Sequence, residues 1–358
     1  MGEECREPGT PEDGGAALLD GGAEAFPRML AAIGAARLEV RLEVYALALD
    51  AVGDRFVAAL SAAARRGVRV AVVLDAWGSL GDVARAVDVL RGEGCEVTVY
   101  NPLSSLLLGR IRRNHRKLLL VDDAVAIVGG INVGEVYGEW KDLALEIRGV
   151  AATWMAERLR GRRAPAPAGP VRVHLSGLGG GRGLRRRYLK VIGAARRSLV
   201  VAHAYFLPDR RLVRSITAAA RRGVEVTLVV PGRSDVPFAR AASRRLHDRL
   251  LRAGVRIHEW GESVLHAKAA LADGRRLLVG SFNLDPLSLK NLEVLVEVDD
   301  AALGGAGERW MTRLVAGSRP LAPTRLGARS RVARWLSDVV GLFALRVLHG
   351  VARRVGRR

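Results

Sequence analysis

Residues 114–123 read NHRKLLLVDD, and residues 265–274 read LHAKAALADG. Each holds His-x-Lys with an Asp five residues beyond the Lys: His115, Lys117 and Asp122 in the first, His266, Lys268 and Asp273 in the second. The likeness continues downstream. Gly129 and Asn132 follow Asp122 at the offsets at which Gly280 and Asn283 follow Asp273, and an acid stands twenty residues beyond each Asp, at Asp142 and Glu293. Two of the chain's five lysines occupy the same motif position. An isolated His-x-Lys means little. Matched positions at one spacing, present twice, signal a repeated functional unit.

Upstream of each motif the chain repeats as well. AAARRGVRVAVVLD (62–75) resembles AAARRGVEVTLVVP (218–231), AIGAARLEV (32–40) resembles VIGAARRSLV (191–200), and LRGEGCEVTVY (90–100) resembles LRAGVRIHEW (251–260). The period is too long for a solenoid and implies two copies of one module. In each copy the patterning predicts a helix (26–37; 184–197), a strand (38–45; 198–206), a second helix (53–66; 210–222), a buried strand (68–75; 224–230), a third helix (79–92; 236–253) and a short strand (95–100; 255–260). The motif strand and its partner close the module (115–129; 266–280). Helices alternating with apolar strands give an α/β fold class: two similar modules of mixed sheet flanked by helices, packed pseudo-symmetrically around one site. The expected division is a disordered leader over 1–17, modules over 18–160 and 171–317, a Pro/Ala-rich linker over 161–170, and a basic amphipathic tail over 318–358.

Composition narrows the partners. The chain has 358 residues and 49% hydrophobic content, enough for real cores. Lys and Arg number 57 against 37 Asp and Glu, a net charge of +20 that favours anionic partners. Nearly all of that charge is Arg in an Ala- and Gly-rich chain, so part of it follows composition rather than a partner. Cys5 and Cys95 have neither metal-ligand nor disulfide-framework spacing. The acidic, Gly/Pro-rich start lacks signal-peptide features, and no run of about 18 apolar residues predicts a membrane-spanning helix. In the tail, residues 329–354 place Trp335, Val339, Phe343, Val347 and Val351 at helical spacing among Arg residues, as in a helix that lies on an anionic membrane surface.

The motif residues suit phosphodiester chemistry. Lys and Asn hold phosphate oxygens. One imidazole attacks phosphorus while the other protonates the leaving oxygen, and acids orient each ring through its second nitrogen. No carboxylate cluster suggests Mg²⁺, so neither a metal nor a cofactor is expected. Tyr45 and Tyr205 follow corresponding strands and suit either the site or the core. His174, His203, His247, His258 and His349 share no pattern, and GLGGGRG (177–183) lacks the ending of a phosphate loop.

These paired motifs resemble those of the phospholipase D superfamily, over residues of about 18 to 316. The nearest resemblance is to bacterial cardiolipin synthases of the phospholipase D type, in the short form without N-terminal transmembrane helices. It is carried by residues 100–134, by AYFLPD (204–209) and by LHAKAALADGRRLLVGSFNLDPLSLKNLEVLVE (265–297). The resemblance implies transfer of a phosphatidyl group, from phosphatidylglycerol or a similar lipid, through a phosphohistidine to the hydroxyl of phosphatidylglycerol. It implies His115 as nucleophile, His266 as acid then base, and Lys117, Lys268, Asn132 and Asn283 as phosphate ligands. Asp142 and Glu293 would orient the histidines. Asp122 and Asp273 complete the catalytic motif and are expected to serve the fold near it. Ser281, where the first half has Gly130, would add a hydroxyl to the phosphate. Partners would be phospholipid substrates and an anionic membrane, met peripherally at its cytoplasmic face through the basic surface, the tail helix and the 103–111 loop. Hydrolysis of lipid or of nucleic acid by the same site is the alternative; the apolar loop and tail favour lipid.

Overall fold

The computed structural model describes residues 15–79, 81–102, 112–177 and 180–322. Residues 1–14, the apolar stretch 103–111, residues 178–179 and the stretch 329–354, expected to form a helix, lie outside the described residues.

The first module runs β1 (Ala16–Asp20), α1 (Gly21–Ala35), β2 (Glu39–Val44), α2 (Ala51–Arg65), β3 (Arg69–Asp75), α3 (Val83–Gly92), β4 (Glu96–Tyr100), β5 (Leu118–Val121), β6 (Val125–Gly129), α4 (Glu135–Glu139), β7 (Leu143–Arg148) and α5 (Val150–Leu159). The second runs β8 (Val171–Leu175), α6 (Arg182–Ala194), β9 (Ser198–His203), α7 (Arg210–Arg221), β10 (Glu225–Arg233), α8 (Pro237–Arg252), β11 (Arg256–Val264), β12 (Lys268–Ala272), β13 (Arg276–Gly280), β14 (Val294–Asp299), α9 (Ala301–Ala316) and β15 (Ser318–Pro320). The sheets have the orders β1-β7-β6-β5-β2-β3-β4 and β15-β11-β10-β9-β12-β13-β14-β8. Parallel pairs β2–β3–β4 and β9–β10–β11 carry the crossover helices, and antiparallel strands fill the other side of each sheet. The repeat extends to the helix caps: Asp50 accepts the N–H groups of Val52 and Gly53, and Asp209 those of Arg211 and Leu212.

Strand β1 begins at Ala16, inside the stretch expected to be leader, and pairs with β7. Strand β15, at the start of the expected tail, pairs with β11.

The central strands explain the packing. In β5, Leu118 and Leu120 enter a core shared by the two sheets, while Leu119 and Val121 enter the core under α1 and α2. In β12, Ala269 and Leu271 face the shared core, and Ala270 and Ala272 face α6 and α7. Both faces of these strands are dry, which is why they read as unbroken apolar runs rather than alternating ones. The two sheets therefore lie face to face between outer helical layers, with α5 and α9 covering the shared core through Met155, Trp310 and Met311. Gly129 and Gly280 sit where β6 and β13 run close to the neighbouring strand of their own sheet: a Cβ on either would stand 2.5 or 2.2 Å from the carbonyl oxygen of Leu143 or Val294.

Asp122 and Asp273, grouped with the catalytic motif by spacing, stand at the far ends of β5 and β12 from the histidines, in left-handed turns (φ 50° and 56°). Asp122 accepts the N–H groups of Arg37, Leu38 and Glu39 at 2.8–2.9 Å, and Asp273 those of Arg196, Arg197 and Ser198 at 2.7–3.1 Å. Each thus fixes the start of the neighbouring strand, β2 or β9. Partial burial works against ionisation, but these N–H groups hold both carboxyls below the ordinary Asp range. Replacing either by Ala is expected to cost about 1–3 kcal/mol of stability while leaving His115 and His266 in place. The contribution is present above the unfolded pKa, about 3.9, and is lost as pH falls through the lower folded value. Denaturant unfolding of wild type and variant at pH 7 and pH 3 reads the difference. A loss of turnover without loss of stability would refute this structural role.

Candidate active site

His115 does not begin a strand; it lies in the extended segment leading into β5. Its position comes from the other module. The His115 N–H donates to the Leu292 carbonyl at 2.9 Å, and the Leu292 N–H donates to Arg113 at 2.9 Å. The second half mirrors this: the N–H groups of His266 and Ala267 donate to the Lys141 carbonyl at 2.8 and 3.2 Å, and the Lys141 N–H donates to Val264 at 2.9 Å. Leu292 precedes Glu293, and Lys141 precedes Asp142. The backbone ties therefore deliver each acid to the histidine of the opposite module.

The side-chain pairs are crossed accordingly. His115 Nδ1 lies 3.1 Å from both Glu293 oxygens, and His266 Nδ1 lies 2.7 Å from Asp142 Oδ2. All four side chains are buried. With Nδ1 turned to its acid, each ring has Nε2 as the nitrogen left free for substrate. Lys141 secures the crossing: its Nζ binds Asp20 at 2.8 and 2.9 Å between the rings of Trp260 and Trp310, and Trp310 Nε1 also donates to Asp20 at 2.7 Å.

The two pairs are not equivalent. Gly130 is small because Asp142 occupies its side-chain space; a Cβ there would meet Asp142 Oδ1 at 2.3 Å. Its counterpart Ser281, expected to offer its hydroxyl to the phosphate, donates instead to Glu293 and accepts the N–H of Val294 at 3.0 Å. Asp142 further accepts the Leu143 N–H at 2.8 Å. Burial disfavours its charge, but Lys268 and His266 outweigh that and hold the carboxyl below its ordinary range. Burial pushes Glu293 up to about 8, against the pull of Lys117 and Ser281. Burial, then Lys117 and Lys268, holds His115 well below the ordinary imidazole value. His266 is lowered by burial and Lys268, with Asp142 pulling back.

Between the pairs lie the two lysines. Lys117 Nζ donates to the His115 carbonyl at 3.0 Å, and Lys268 Nζ donates to that of His266. Burial lowers Lys117 to about 7 and Lys268 to about 8, opposed chiefly by Glu293 and Asp142 respectively. Asn132 Oδ1 accepts the Ala46 N–H at 3.2 Å, which leaves its NH₂ group to donate elsewhere. Asn283 Oδ1 is buried with no partner among the described residues. Two imidazoles and two ammonium groups around two amides form a site suited to a tetrahedral or bipyramidal phosphorus anion.

Tyr45 and Tyr205 line the site, their rings 5.0 Å from His115 and 6.1 Å from His266. Trp140, 5.0 Å from His266, was not marked by the spacing argument, although it stands two residues before Asp142. Arg113, over the Tyr45 ring at 5.8 Å, and Asp235, which accepts the Tyr205 hydroxyl, are further rim residues with no repeat signal. His203 is fully buried against Tyr188 at 3.3 Å, and His174 pairs with Glu297 at 3.2 Å. Among the described residues no group of three His, Cys, Asp or Glu side chains is placed to hold a metal ion.

Residues 29–142 and 188–315 match the family described as "Cardiolipin synthase, PLD-like domain". Cardiolipin synthase B of Salmonella typhi is 35% identical over 313 residues, covering 79% of this chain and 76% of that protein. A cardiolipin synthase of Geobacillus kaustophilus is 32% identical, covering 78% of this chain and 61% of its own length. In architecture the chain is similar to phosphatidylserine synthase of Haemophilus influenzae, with a TM-score of 0.75 at 15% identity over 94% of this chain and 95% of that one. The matched segments contain both His-x-Lys motifs, and the chain belongs to the cardiolipin synthase family of phospholipase D-like proteins.

Proposed function

We propose that this chain is a phosphatidyltransferase that makes cardiolipin, taking a phosphatidyl group from one phospholipid onto His115 and passing it to the hydroxyl of phosphatidylglycerol. The observation that carries the reading is the pair of crossed imidazole–carboxylate contacts around two buried ammonium groups. In this reading the neutral imidazole of His115, the more strongly depressed of the two, attacks phosphorus through Nε2. His266, backed by the ionised Asp142, gives its proton to the departing headgroup oxygen and takes one from the incoming hydroxyl. Lys117, Lys268 and the amides of Asn132 and Asn283 hold the non-bridging oxygens. One phosphodiester is exchanged for another, so the exchange needs no nucleotide.

Among the described residues no helix is long and apolar enough to cross a membrane. We further propose that the chain meets lipid peripherally, at the cytoplasmic face, with its charge of +20 drawn to anionic headgroups.

Product analysis tests the reading. Vesicles of labelled phosphatidylglycerol are expected to yield cardiolipin and glycerol in equal amounts. Phosphatidic acid as the main product would make the chain a hydrolase, and no lipid turnover would sink the proposal. The lysines set the pH dependence. Both ammonium groups are charged below about 7–8 in the free site. kcat/KM for a short-chain phosphatidylglycerol is thus expected to fall as pH rises through that range, while kcat, read with phosphate bound, holds to higher pH. A kcat/KM flat to pH 9 would count against phosphate capture by these lysines.

A further inference from the structure

The two modules hold their histidines by different means. In the first, the residue before the histidine, Asn114, is clamped between two buried carboxylates. Asp75, at the end of β3, accepts the Asn114 N–H on Oδ2 at 2.9 Å and the Trp77 N–H on Oδ1 at 3.0 Å. Glu43, on β2, accepts from the Asn114 side-chain NH₂ at 3.0 Å and is itself held by Arg41 at 2.6 Å and Arg116 at 3.4 Å. Asn114 Oδ1 in turn accepts the Arg116 N–H at 3.3 Å. With the His115 N–H on Leu292, the backbone N–H groups of residues 114, 115 and 116 are all fixed.

The strand registers put Pro231, Ala202 and Leu265 at the matching places in the second module, where the first has Asp75, Glu43 and Asn114. None of the three carries a polar side chain. There His266 and Ala267 share a single acceptor, the Lys141 carbonyl. The same fold thus forms without the carboxylates, and burying two of them is costly unless something depends on them.

Attack and proton transfer make different demands. An attacking nitrogen must meet one atom at one distance and along one line, and a misplacement of about 1 Å can cost about 100-fold in rate. An acid–base imidazole serves a leaving oxygen and then an incoming one, so it has no single target. We infer that Asp75, supported by Glu43, is a positioning residue for the attacking histidine: through Asn114 it holds the His115 backbone where Nε2 meets phosphorus in line. The inference rests on His115 as nucleophile, and it gives the unequal frames of the two histidines a common cause. Asp75 also faces Lys117 electrostatically. Loss of its charge would act there on phosphate capture, and so on the donor's KM, whereas positioning acts on the rate at saturation.

The test offers the full chain a nitrophenyl phosphodiester. The bond from His115 Nε2 to phosphorus forms as the bond to the nitrophenyl oxygen breaks, and nitrophenolate leaves without a proton, so the burst reads the attack alone. In Asp75→Asn one amide oxygen replaces two carboxylate oxygens, and the Asn114 and Trp77 N–H groups cannot both be accepted. The burst rate constant at saturating donor is expected to fall about 10–100-fold. The burst should still amount to about one nitrophenolate per chain, as in a folded enzyme with an intact nucleophile. The same factor is expected in a His266→Ala background, because the effect runs through His115. Glu43→Gln, which keeps an oxygen for Asn114 but loses the charge that Arg41 and Arg116 hold, is expected to slow the burst about 3–10-fold. A folded Asp75→Asn with the wild-type burst constant, even one of lowered stability, overturns the inference. So does a slowing confined to chains that keep His266. Should Asp75→Asn fail to fold, an unchanged burst constant in Glu43→Gln overturns it instead. No burst from the wild type overturns the reading of His115 on which the inference rests.

Discussion

His115→Ala and His266→Ala are each expected to lower cardiolipin formation by roughly 10⁴-fold or more, since each removes an atom that makes or breaks a bond. The two variants separate with an activated donor. A nitrophenyl phosphodiester releases an anion that needs no proton, so His266→Ala should still give a burst of nitrophenolate as His115 becomes phosphorylated. His115→Ala should give none. A burst from His115→Ala and its absence from His266→Ala would reverse the assignment. Bursts from both would remove His115 from the nucleophile's role. Because both rings are buried, unfolding curves must show that each variant remains folded.

Asp142→Asn is expected to lower kcat by about 10²–10⁴-fold, the range found when a carboxylate behind a catalytic histidine becomes an amide in other enzymes. The reason lies in the 2.7 Å contact with His266 Nδ1. An amide stabilises the imidazolium far less than a carboxylate does, so His266 protonates the leaving group poorly. The Leu143 N–H can still donate to the amide oxygen, so the local backbone should persist. With the nitrophenyl donor the burst should survive, as for His266→Ala. If Asp142→Asn instead matched wild type with the lipid donor, the crossed pair would be structural only.

Much of this site was legible in the chain. Regular spacing marked His115, Lys117, Asn132 and Asp142 together with their counterparts His266, Lys268, Asn283 and Glu293. What could not be read is which acid serves which ring. Glu293 lies 178 residues from His115 and Asp142 lies 124 from His266, and a symmetric repeat permits pairing within a half as readily as between halves. The face-to-face packing of the sheets decides it. The hydroxyl of Ser281 can serve a phosphate or a carboxylate, and only the fold shows that it lies on Glu293. Trp140 and Asp235 have no matching residue in the other half, so repetition could not point to them. The first motif was expected to open a strand, yet β5 starts at Leu118 because the His115 N–H is committed to Leu292 of the other sheet. Strands β7 and β14 carry buried acids, Glu146 and Glu297, whose apparent polarity hides sheet interior; Arg28 and Arg148 neutralise the first, and His174 pairs with the second.

The crossed ties at Lys141 and Leu292 bear on how such a site can change over time. Neither half can orient its own imidazole, so a protein of half this length would be active only as a twofold pair of identical copies. In such a pair any mutation appears in both dyads at once. An improvement to the attacking ring would be forced on the proton donor too. Joining the copies in one chain lifts that constraint. The Gly130–Asp142 and Ser281–Glu293 arrangements, and the opposite charges of Arg113 and Asp235 at the rim, are differences that only a fused chain can keep.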